Sequence, residues 1–311
     1  MNPGTRSALG LGVAIFITGG AVGAASFRPG TGGSSLAVRD AGGWTTWWRS
    51  AVAPAVWSED APLARRVVWR AGAAGMEWGE LQLTGSSEAW RTRVIVVRLD
   101  PHAVRLSLAP AFTQNASWSI ASGDSAAVLA FNAGQFLGRL PWGWVVAEGK
   151  EFLTPESAPL AGAVIVDASG GLRIVQPDSV AAERERGTAR EAFQSYPMLL
   201  MHGAVPAALR IPGLGVDLTH RDARVALGTL DDGLVIIALT RFDALGSSLG
   251  RIPFGLTSPE MAAVMGGLGA RDALLLDGGI SGQLMLRSSD GSVHRWPGIR
   301  SVPLGLVARS K

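Results

Sequence analysis

Cysteine is absent from the 311-residue chain. This absence excludes disulfides, thiolate-bound zinc or iron–sulfur centres, a cysteine nucleophile and a lipid-modified N-terminal cysteine. Lysine occurs only as Lys150 and Lys311, so arginine supplies nearly all of the positive charge. The formal net charge is only +3 and the sequence contains no basic run, which argues against a dedicated nucleic-acid-binding protein. Hydrophobic residues make up 47% and charged residues 17% of the chain, a balance that provides a sizeable core and excludes wholesale disorder.

Charge is also absent from residues 8–25, an apolar run that follows Arg6 and ends in small residues. A short basic start, an apolar stretch and small residues predict a secretory signal peptide, cleaved near Ser26. An uncleaved membrane anchor is the alternative, because the run is just long enough to span a bilayer. Under either interpretation the rest of the protein is expected outside the cytoplasm, in the periplasm or secreted, with a membrane tether through residues 8–25 as one option.

Composition divides the chain into three predicted segments: the signal peptide or anchor at 1–25, a linker at 26–75 and one domain at 76–311. The linker prediction rests on its Gly, Ala, Pro and Ser content, as in Pro29–Ser35 (PGTGGSS). Its tryptophans Trp44, Trp47 and Trp48 are expected to pack on the domain or to lie near the membrane surface.

Short strand-like runs recur after the linker, and helical patterns are few. Alternating or β-branched runs predict strands at 76–83, 92–99, 104–108, 126–131, 197–201, 223–228 and 234–239, with hairpins over 144–152 and 163–175. A helix is predicted over 259–268, because Thr257 and Glu260 form a capping box and Gly269 ends the pattern. The charge-patterned residues 180–193 are predicted to form a solvated helix or excursion. These elements predict a strand-rich α+β domain with few helices.

Two glycine motifs follow apolar runs that are expected to be buried strands. They are Asn132-Ala133-Gly134-Gln135-Phe136 and Asp277-Gly278-Gly279-Ile280-Ser281. An aspartate at the end of an apolar strand, followed by two glycines, predicts a carboxylate on a rigid support with backbone amides beside it. An Asp-Gly hairpin turn is the alternative interpretation of the second motif.

The remaining polar residues limit the kinds of catalytic or binding site that the chain can form. The four histidines are dispersed without a helical zinc motif, and neither a G-x-S-x-G elbow nor a phosphate loop occurs. Carboxylates, amides and arginines remain, and the candidates include Asp217, Asp222, Arg224 and Arg300. Arginine binds phosphate through paired hydrogen bonds, and carboxylates act on glycosidic bonds.

Several segments in a fixed order resemble the phosphodiester glycosidase family. Besides the two motifs they are Tyr196–Leu200, Arg224–Gly228, Gly255–Glu260 and Arg300–Pro303, and the resemblance covers roughly 77–308. It implies a strand-rich catalytic domain that hydrolyses the glycosyl–phosphate bond of a sugar phosphodiester in an envelope or extracellular glycoconjugate. The sequence departs from the family pattern at Ala133, Gln135, Ile280, Gly282 and Leu304.

The resemblance also implies roles for four catalytic residues. Asp277 is expected to be the key carboxylate, acting as nucleophile or as base towards water. Arg224 and Arg300 are expected to hold the phosphate, and Asn132 to orient sugar hydroxyls or an oxyanion. Asp217 and Asp222 are weaker candidates for a second carboxylate.

Five further residues are expected to bind substrate: Gly134, Phe136, Gly278, Gly279 and Ser281. No cofactor is expected to be required, although a divalent cation bound by carboxylates is compatible with this set. The expected partner is a carbohydrate phosphodiester and not a nucleic acid. The alternative function is a non-catalytic envelope protein that binds a polysaccharide through the same cleft.

Overall fold

The computed structural model describes residues 34–57, 61–85, 91–122, 124–243 and 252–311. The predicted signal peptide or anchor at 1–25 lies outside the described residues. Within these described ranges, no helix is both long enough and apolar enough to cross a membrane.

Strands dominate the part of the chain that the structure describes. The first seven are β1 (Ser35–Asp40), β2 (Gly43–Arg49), β3 (Arg70–Ala71), β4 (Glu77–Gly85), β5 (Arg91–Leu99), β6 (Val104–Pro110) and β7 (Ala127–Asn132). The next seven are β8 (Phe136–Leu137), β9 (Leu140–Pro141), β10 (Val145–Ala147), β11 (Lys150–Leu153), β12 (Gly162–Asp167), β13 (Leu172–Val175) and β14 (Ala189–Ser195), with helix α1 (Val180–Arg186) before β14. The last seven are β15 (Met198–Leu200), β16 (Val225–Thr229), β17 (Val235–Phe242), β18 (Asp272–Leu276), β19 (Leu284–Arg287), β20 (Val293–Trp296) and β21 (Leu304–Ser310), with helix α2 (Ser258–Gly267) before β18.

These strands form three antiparallel sheets and one small hairpin. The largest sheet has the order β15-β18-β16-β17-β5-β4-β1-β2, and β3 pairs with β4. The second has the order β11-β10-β14-β12-β13, and the third β20-β19-β7-β21-β6. Strands β8 and β9 pair only with each other within the described residues. The α+β, strand-rich architecture predicted from the sequence is therefore confirmed.

The largest sheet separates two hydrophobic cores. One face packs against both smaller sheets, through side chains such as Ile95, Phe193 and Leu306. The other face packs against α2, through side chains such as Val96 and Val264. Alternate residues of β18 serve the two cores, with Leu274 and Leu276 on one side and Leu275 on the other, as strand geometry requires. Strand β18 is thus fixed on both faces up to the residue before Asp277.

The helix predicted over 259–268 is confirmed with its cap. Thr257 accepts a hydrogen bond from the Glu260 amide at 3.3 Å, and the Thr257 amide donates to the Glu260 carboxylate at 3.0 Å. Glu260 is fully buried, and Arg221 pairs with both of its oxygens at 2.7 and 2.8 Å. This ion pair joins α2 to the segment that precedes β16.

The linker prediction for 26–75 is wrong for the residues that the structure describes from Ser34 onward. Strand β1 pairs with both β2 and β4, which extends the largest sheet by a hairpin. Leu36, Val38 and Leu63 are fully buried in the core shared with α2, and Trp48 is also buried there. The alternation that buries Leu36 and Val38 in β1 is short, so the average composition of the segment hides it.

The predicted solvated helix or excursion at 180–193 is only partly present. Helix α1 covers the first half, but residues from Ala189 onward form β14, a strand at the centre of the second sheet. Its polar residues Glu191, Gln194 and Ser195 are buried, and they bond to backbone groups of neighbouring segments.

Candidate active site

The two glycine motifs meet at the ends of β7 and β18, where Asn132 joins them. The Asn132 amide nitrogen donates to the backbone carbonyl of Asp277 at 2.6 Å, and its side-chain oxygen accepts from the Gln283 amide at 2.9 Å. The side chain of Asn132 is fully buried. It was expected to contact the sugar, but the structure places it beneath the loop 277–283, where it fixes both ends of that loop.

The glycines of the second motif lie against Ala223, in the segment that precedes β16. A Cβ atom on Gly278 would lie 2.3 Å from the Ala223 carbonyl oxygen, so only glycine fits there. Gly279 has a φ of +56° and donates its amide to the same carbonyl at 2.8 Å. The Gly279 amide, expected to bind substrate, is therefore engaged within the protein. Ile280 does not take a positive φ, because Gly279 makes that turn.

Asp277 carries a perturbed carboxyl group. Burial raises its pKa to about 6, although the Ser281 side-chain hydrogen bond and the nearby Arg300 charge act in the opposite direction. The charge of Asp222 raises the pKa further. Within the described residues, the buried Asp277 Oδ2 has no hydrogen-bond partner. A buried carboxyl group with a raised pKa and an unpaired oxygen makes Asp277 a candidate functional group.

Asp222 and His220 lie close to each other, and the charge of Asp222 acts on Asp277. Burial raises the pKa of the Asp222 carboxyl, while the charge of Arg224 partly offsets this effect. The His220 Nε2 lies 3.7 Å from Asp222 Oδ2. Sequence analysis assigned His220 no role, because this histidine belongs to no metal motif. Its position four residues before Arg224 was the available signal.

Asp217, the other candidate for a second carboxylate, supports the turn that carries His220. It is exposed and accepts hydrogen bonds from the Thr219 amide at 2.8 Å and the His220 amide at 3.0 Å. The hydrogen bonds from Thr219 lower the pKa of Asp217. Its carboxylate thus caps a turn.

The two arginines occupy different environments. Arg224 is only 9% exposed, and its guanidinium donates to the Leu256 carbonyl at 2.9 Å and the His220 carbonyl at 2.7 Å. Burial lowers the pKa of Arg224, and the neighbouring Asp222 opposes that shift. Arg300 is exposed, and its guanidinium lies 4.7 Å from the centre of the Phe136 ring. Of the two, Arg300 presents its cation towards solvent.

A cavity of about 420 Å³ opens beside these groups. Its walls include side chains from the first motif, from β18 and from the segment before β16: Gln135, Phe136, Trp142, Tyr196, Asp217, His220, Arg224 and Leu275. Asp277 itself does not line this cavity, but Leu275 lies two residues before it on β18. The Gly134 carbonyl accepts from the Asp277 amide at 3.3 Å, which places the first motif directly against the carboxylate loop. Among the described residues, no group of three or more His, Asp or Glu side chains is placed to hold a metal ion.

Comparison with solved structures gives the same strand-rich fold. A zebrafish N-acetylglucosamine-1-phosphodiester alpha-N-acetylglucosaminidase catalytic domain is similar at 14% identity, with a TM-score of 0.55 over 84% of this chain and 96% of that chain. A hypothetical protein from Synechocystis is similar at 16% identity, with a TM-score of 0.51 over 76% of this chain. This chain spans 62% of that protein's chain. A comparison with curated protein sequences gives no match.

Residues 123–309 match the family model described as phosphodiester glycosidase. The match covers more than half of the chain and includes both glycine motifs, the Asp222–Arg224 segment and Arg300. The chain therefore belongs to the phosphodiester glycosidase family.

Proposed function

We propose that this protein is a hydrolase that cleaves the glycosyl–phosphate bond of a sugar-1-phosphodiester in an envelope or extracellular glycoconjugate. Family membership supports a glycosidase of this type. The observation that carries the proposal is the Asp277 carboxyl, which has a pKa of about 6, an unsatisfied Oδ2 among the described residues and the exposed Arg300 cation nearby.

The reaction breaks the bond between the anomeric carbon and the bridging oxygen. A water oxygen forms the new bond to that carbon, the phosphate leaves as a monoester, and the water proton passes to the protein or the phosphate. Phosphate is a good leaving group, so stabilisation of the positive anomeric centre and of the departing charge matters most. A carboxylate with a pKa of about 6 is mostly ionised at neutral pH and serves as nucleophile or base.

Arg300 is assigned to the phosphate because its guanidinium is exposed and fixed above Phe136. A cation beside the breaking bond stabilises the transition state more than the ground state, since phosphate charge increases as the bond lengthens. Arg224 contributes its charge from within the wall of the cavity and holds the His220 carbonyl. The Asp222–His220 pair is the candidate for proton transfer, either from the attacking water or to the bridging oxygen of the departing phosphate.

The remaining predicted residues support this arrangement. Asn132 acts as a positioning residue through the Asp277 carbonyl, and Ser281 through its hydrogen bond to the Asp277 carboxylate. Gly278 and Gly279 permit the close contact with Ala223, and Gly134 contacts the Asp277 amide. These contacts fix the carboxylate before substrate binds.

An extracytoplasmic location is part of the proposal and rests on the uncharged residues 8–25. A secreted or periplasmic protein, or one tethered through this segment, would meet envelope glycoconjugates. The proposed partner is the carbohydrate phosphodiester itself.

The proposal is tested by incubating the purified protein with a panel of sugar-1-phosphodiesters and neutral aryl glycosides, with and without a chelator. We expect equal amounts of free sugar and phosphomonoester from the phosphodiesters, and no turnover by Asp277→Asn. Asp290→Asn is the matched control, because Asp290 is exposed in the turn between β19 and β20. Saturable binding without release of either product would favour the polysaccharide-binding alternative.

A further inference from the structure

Exposed apolar side chains surround Arg300. Leu137 is 72% exposed, Leu140 54%, Ile280 41% and Ile299 60%. We call these four residues the apolar rim. They are four of the ten large hydrophobic residues most exposed in the described ranges, although they come from three separate loops.

Hydrogen bonds show that the three loops are in contact. Leu137 and Leu140 face each other across the β8–β9 hairpin. Arg300 donates to the Gly138 carbonyl in that hairpin at 3.3 Å. The Ile280 carbonyl accepts from the Ile299 amide at 2.7 Å and from the Arg300 amide at 3.0 Å. The apolar rim is therefore one surface with a guanidinium within it.

A second group of exposed apolar residues lies in the segment that contacts Tyr196 of the cavity wall. Ile211 is 51% and Leu214 47% exposed. The Tyr196 hydroxyl donates to the Gly215 carbonyl at 2.9 Å, and Tyr196 lines the cavity. An apolar surface rimmed by polar groups is characteristic of a binding site rather than of ordinary solvent-exposed surface.

We propose that the apolar rim binds a long alkyl chain, so that the substrate is a sugar-1-phosphodiester whose aglycone is a lipid alcohol. This inference rests on the proposed function and specifies its substrate class. A phosphate diester attached to an alkyl chain pairs a negative group with an apolar one, which complements a cation among leucine and isoleucine side chains. A glycan aglycone would instead require hydrogen-bonding groups at these positions. Hydrolysis adds water across the anomeric C–O bond and releases the sugar and the lipid phosphomonoester.

Two matched substrates test the inference: the same sugar-1-phosphate esterified with butanol or with dodecanol, both below the micelle concentration. Each buried methylene contributes about 0.8 kcal/mol, or about fourfold in affinity. Burial of only two or three of the extra methylenes therefore predicts a kcat/KM about fifteenfold or more higher for the dodecyl ester. Leu140→Ser/Ile299→Ser should reduce this ratio towards one.

Val52→Ser/Val68→Ser is the matched control, because these valines are 77% and 74% exposed and lie outside the apolar rim. We expect this variant to keep the full dodecyl-to-butyl ratio. Equal kcat/KM for the two esters in the wild-type protein would overturn the inference and leave the proposed hydrolysis standing. Equal loss of the ratio in both double variants would also overturn it.

Calorimetric titration with dodecyl phosphate and butyl phosphate separates this inference from catalysis. If neither ester is hydrolysed but dodecyl phosphate binds more tightly, and the serine variant of the rim loses that difference, the proposed function fails and the lipid site stands. If the two phosphates bind alike, the lipid site is wrong. Sedimentation gives a further test, because a dimer that the rim variant dissociates would assign the surface to a second copy of the chain and overturn the inference.

Discussion

The side chain of Asn132 holds Asp277 by its backbone, with Nδ2 donating to the Asp277 carbonyl at 2.6 Å. The same side chain accepts a hydrogen bond from Gln283 beyond the glycine loop. One buried amide on β7 therefore fixes the loop that carries the candidate catalytic carboxylate. This hydrogen bond holds together in space two motifs that are 145 residues apart in the sequence.

Replacement of Asn132 by Ala leaves a buried carbonyl and a buried amide without partners. Each such group costs about 1–3 kcal/mol, so we expect a stability loss of about 2–6 kcal/mol and a large loss of turnover. Urea denaturation and the product assay measure the two effects. Gln114→Ala, at an exposed position, is the control and should change neither. Unchanged turnover in Asn132→Ala would show that the loop needs no such support.

The pH profile reports on Asp277. If this group must be ionised, kcat/KM should be half-maximal near pH 6 and fall about tenfold for each pH unit below. A profile that is flat between pH 5 and pH 8 would contradict the assignment of Asp277 as nucleophile or base.

Asp277→Asn is expected to stabilise the protein at neutral pH. The folded-state pKa of about 6 exceeds the ordinary value of 3.8, so the folded state binds more protons between these values and stability falls as pH rises through this window. Above pH 6 the raised pKa of Asp277 lowers the free energy of unfolding by at most about 3 kcal/mol. Thermal melts of the two proteins should therefore coincide below about pH 4, diverge between pH 4 and pH 6, and differ by a constant amount above pH 6. A variant that is less stable at pH 7.5 would show that the carboxylate serves the architecture.

The two arginines should respond differently to replacement by lysine. Arg300→Lys keeps the charge but loses the planar guanidinium, so we expect at least a tenfold loss of kcat/KM on phosphodiesters, or about 1.4 kcal/mol, with little change in stability. Arg224→Lys loses the hydrogen bonds to the Leu256 and His220 carbonyls and should cost about 2 kcal/mol of stability. Arg105→Lys, at an exposed position on β6, is the control. If Arg300→Lys lowered kcat/KM equally on phosphodiesters and on neutral aryl glycosides, Arg300 would not act on the phosphate.

Truncation tests the correction to the predicted linker. A chain that starts at Met76 lacks β1 and exposes the edge of β4 together with the core that Leu36 and Val38 cover. An open edge above an apolar surface favours aggregation. We therefore expect residues 76–311 to aggregate and residues 33–311 to melt cooperatively in light-scattering and calorimetric measurements. Equal melting behaviour of the two chains would restore the linker interpretation.

The sequence was sufficient to predict the positions of strands and helices where the apolar pattern is strong. The β-branched run of β5, the apolar run of β7 and the capped helix α2 were predicted within one or two residues. Strand β14 was missed because its Glu191 and Gln194 are polar although buried, and such residues resemble a solvated surface in a sequence. Their partners, the backbone amides of Leu108 and Trp144, are distant in the chain and become visible only after folding.

The proximity of the two motifs was predictable from the sequence, but the contacts of their side chains were not. The motifs placed Asn132 and Asp277 together, and the structure does bring them together. Whether a side chain faces the ligand or the backbone depends on tertiary contacts, so the internal bonding of Asn132 and Arg224 could not be read from spacing. The contribution of His220 was hidden for the same reason, since its proximity to Asp222 depends on the turn that Asp217 caps.

The position of bond cleavage tests the central claim most directly. The purified protein is incubated with a sugar-1-phosphodiester in water enriched in oxygen-18, and both products are analysed by mass spectrometry. Our account predicts that the label enters the sugar at the anomeric carbon, because the C–O bond breaks, and that the phosphomonoester carries none. Label in the phosphate would mean that the P–O bond breaks, which would make the enzyme a phosphodiesterase and contradict the role assigned to Asp277.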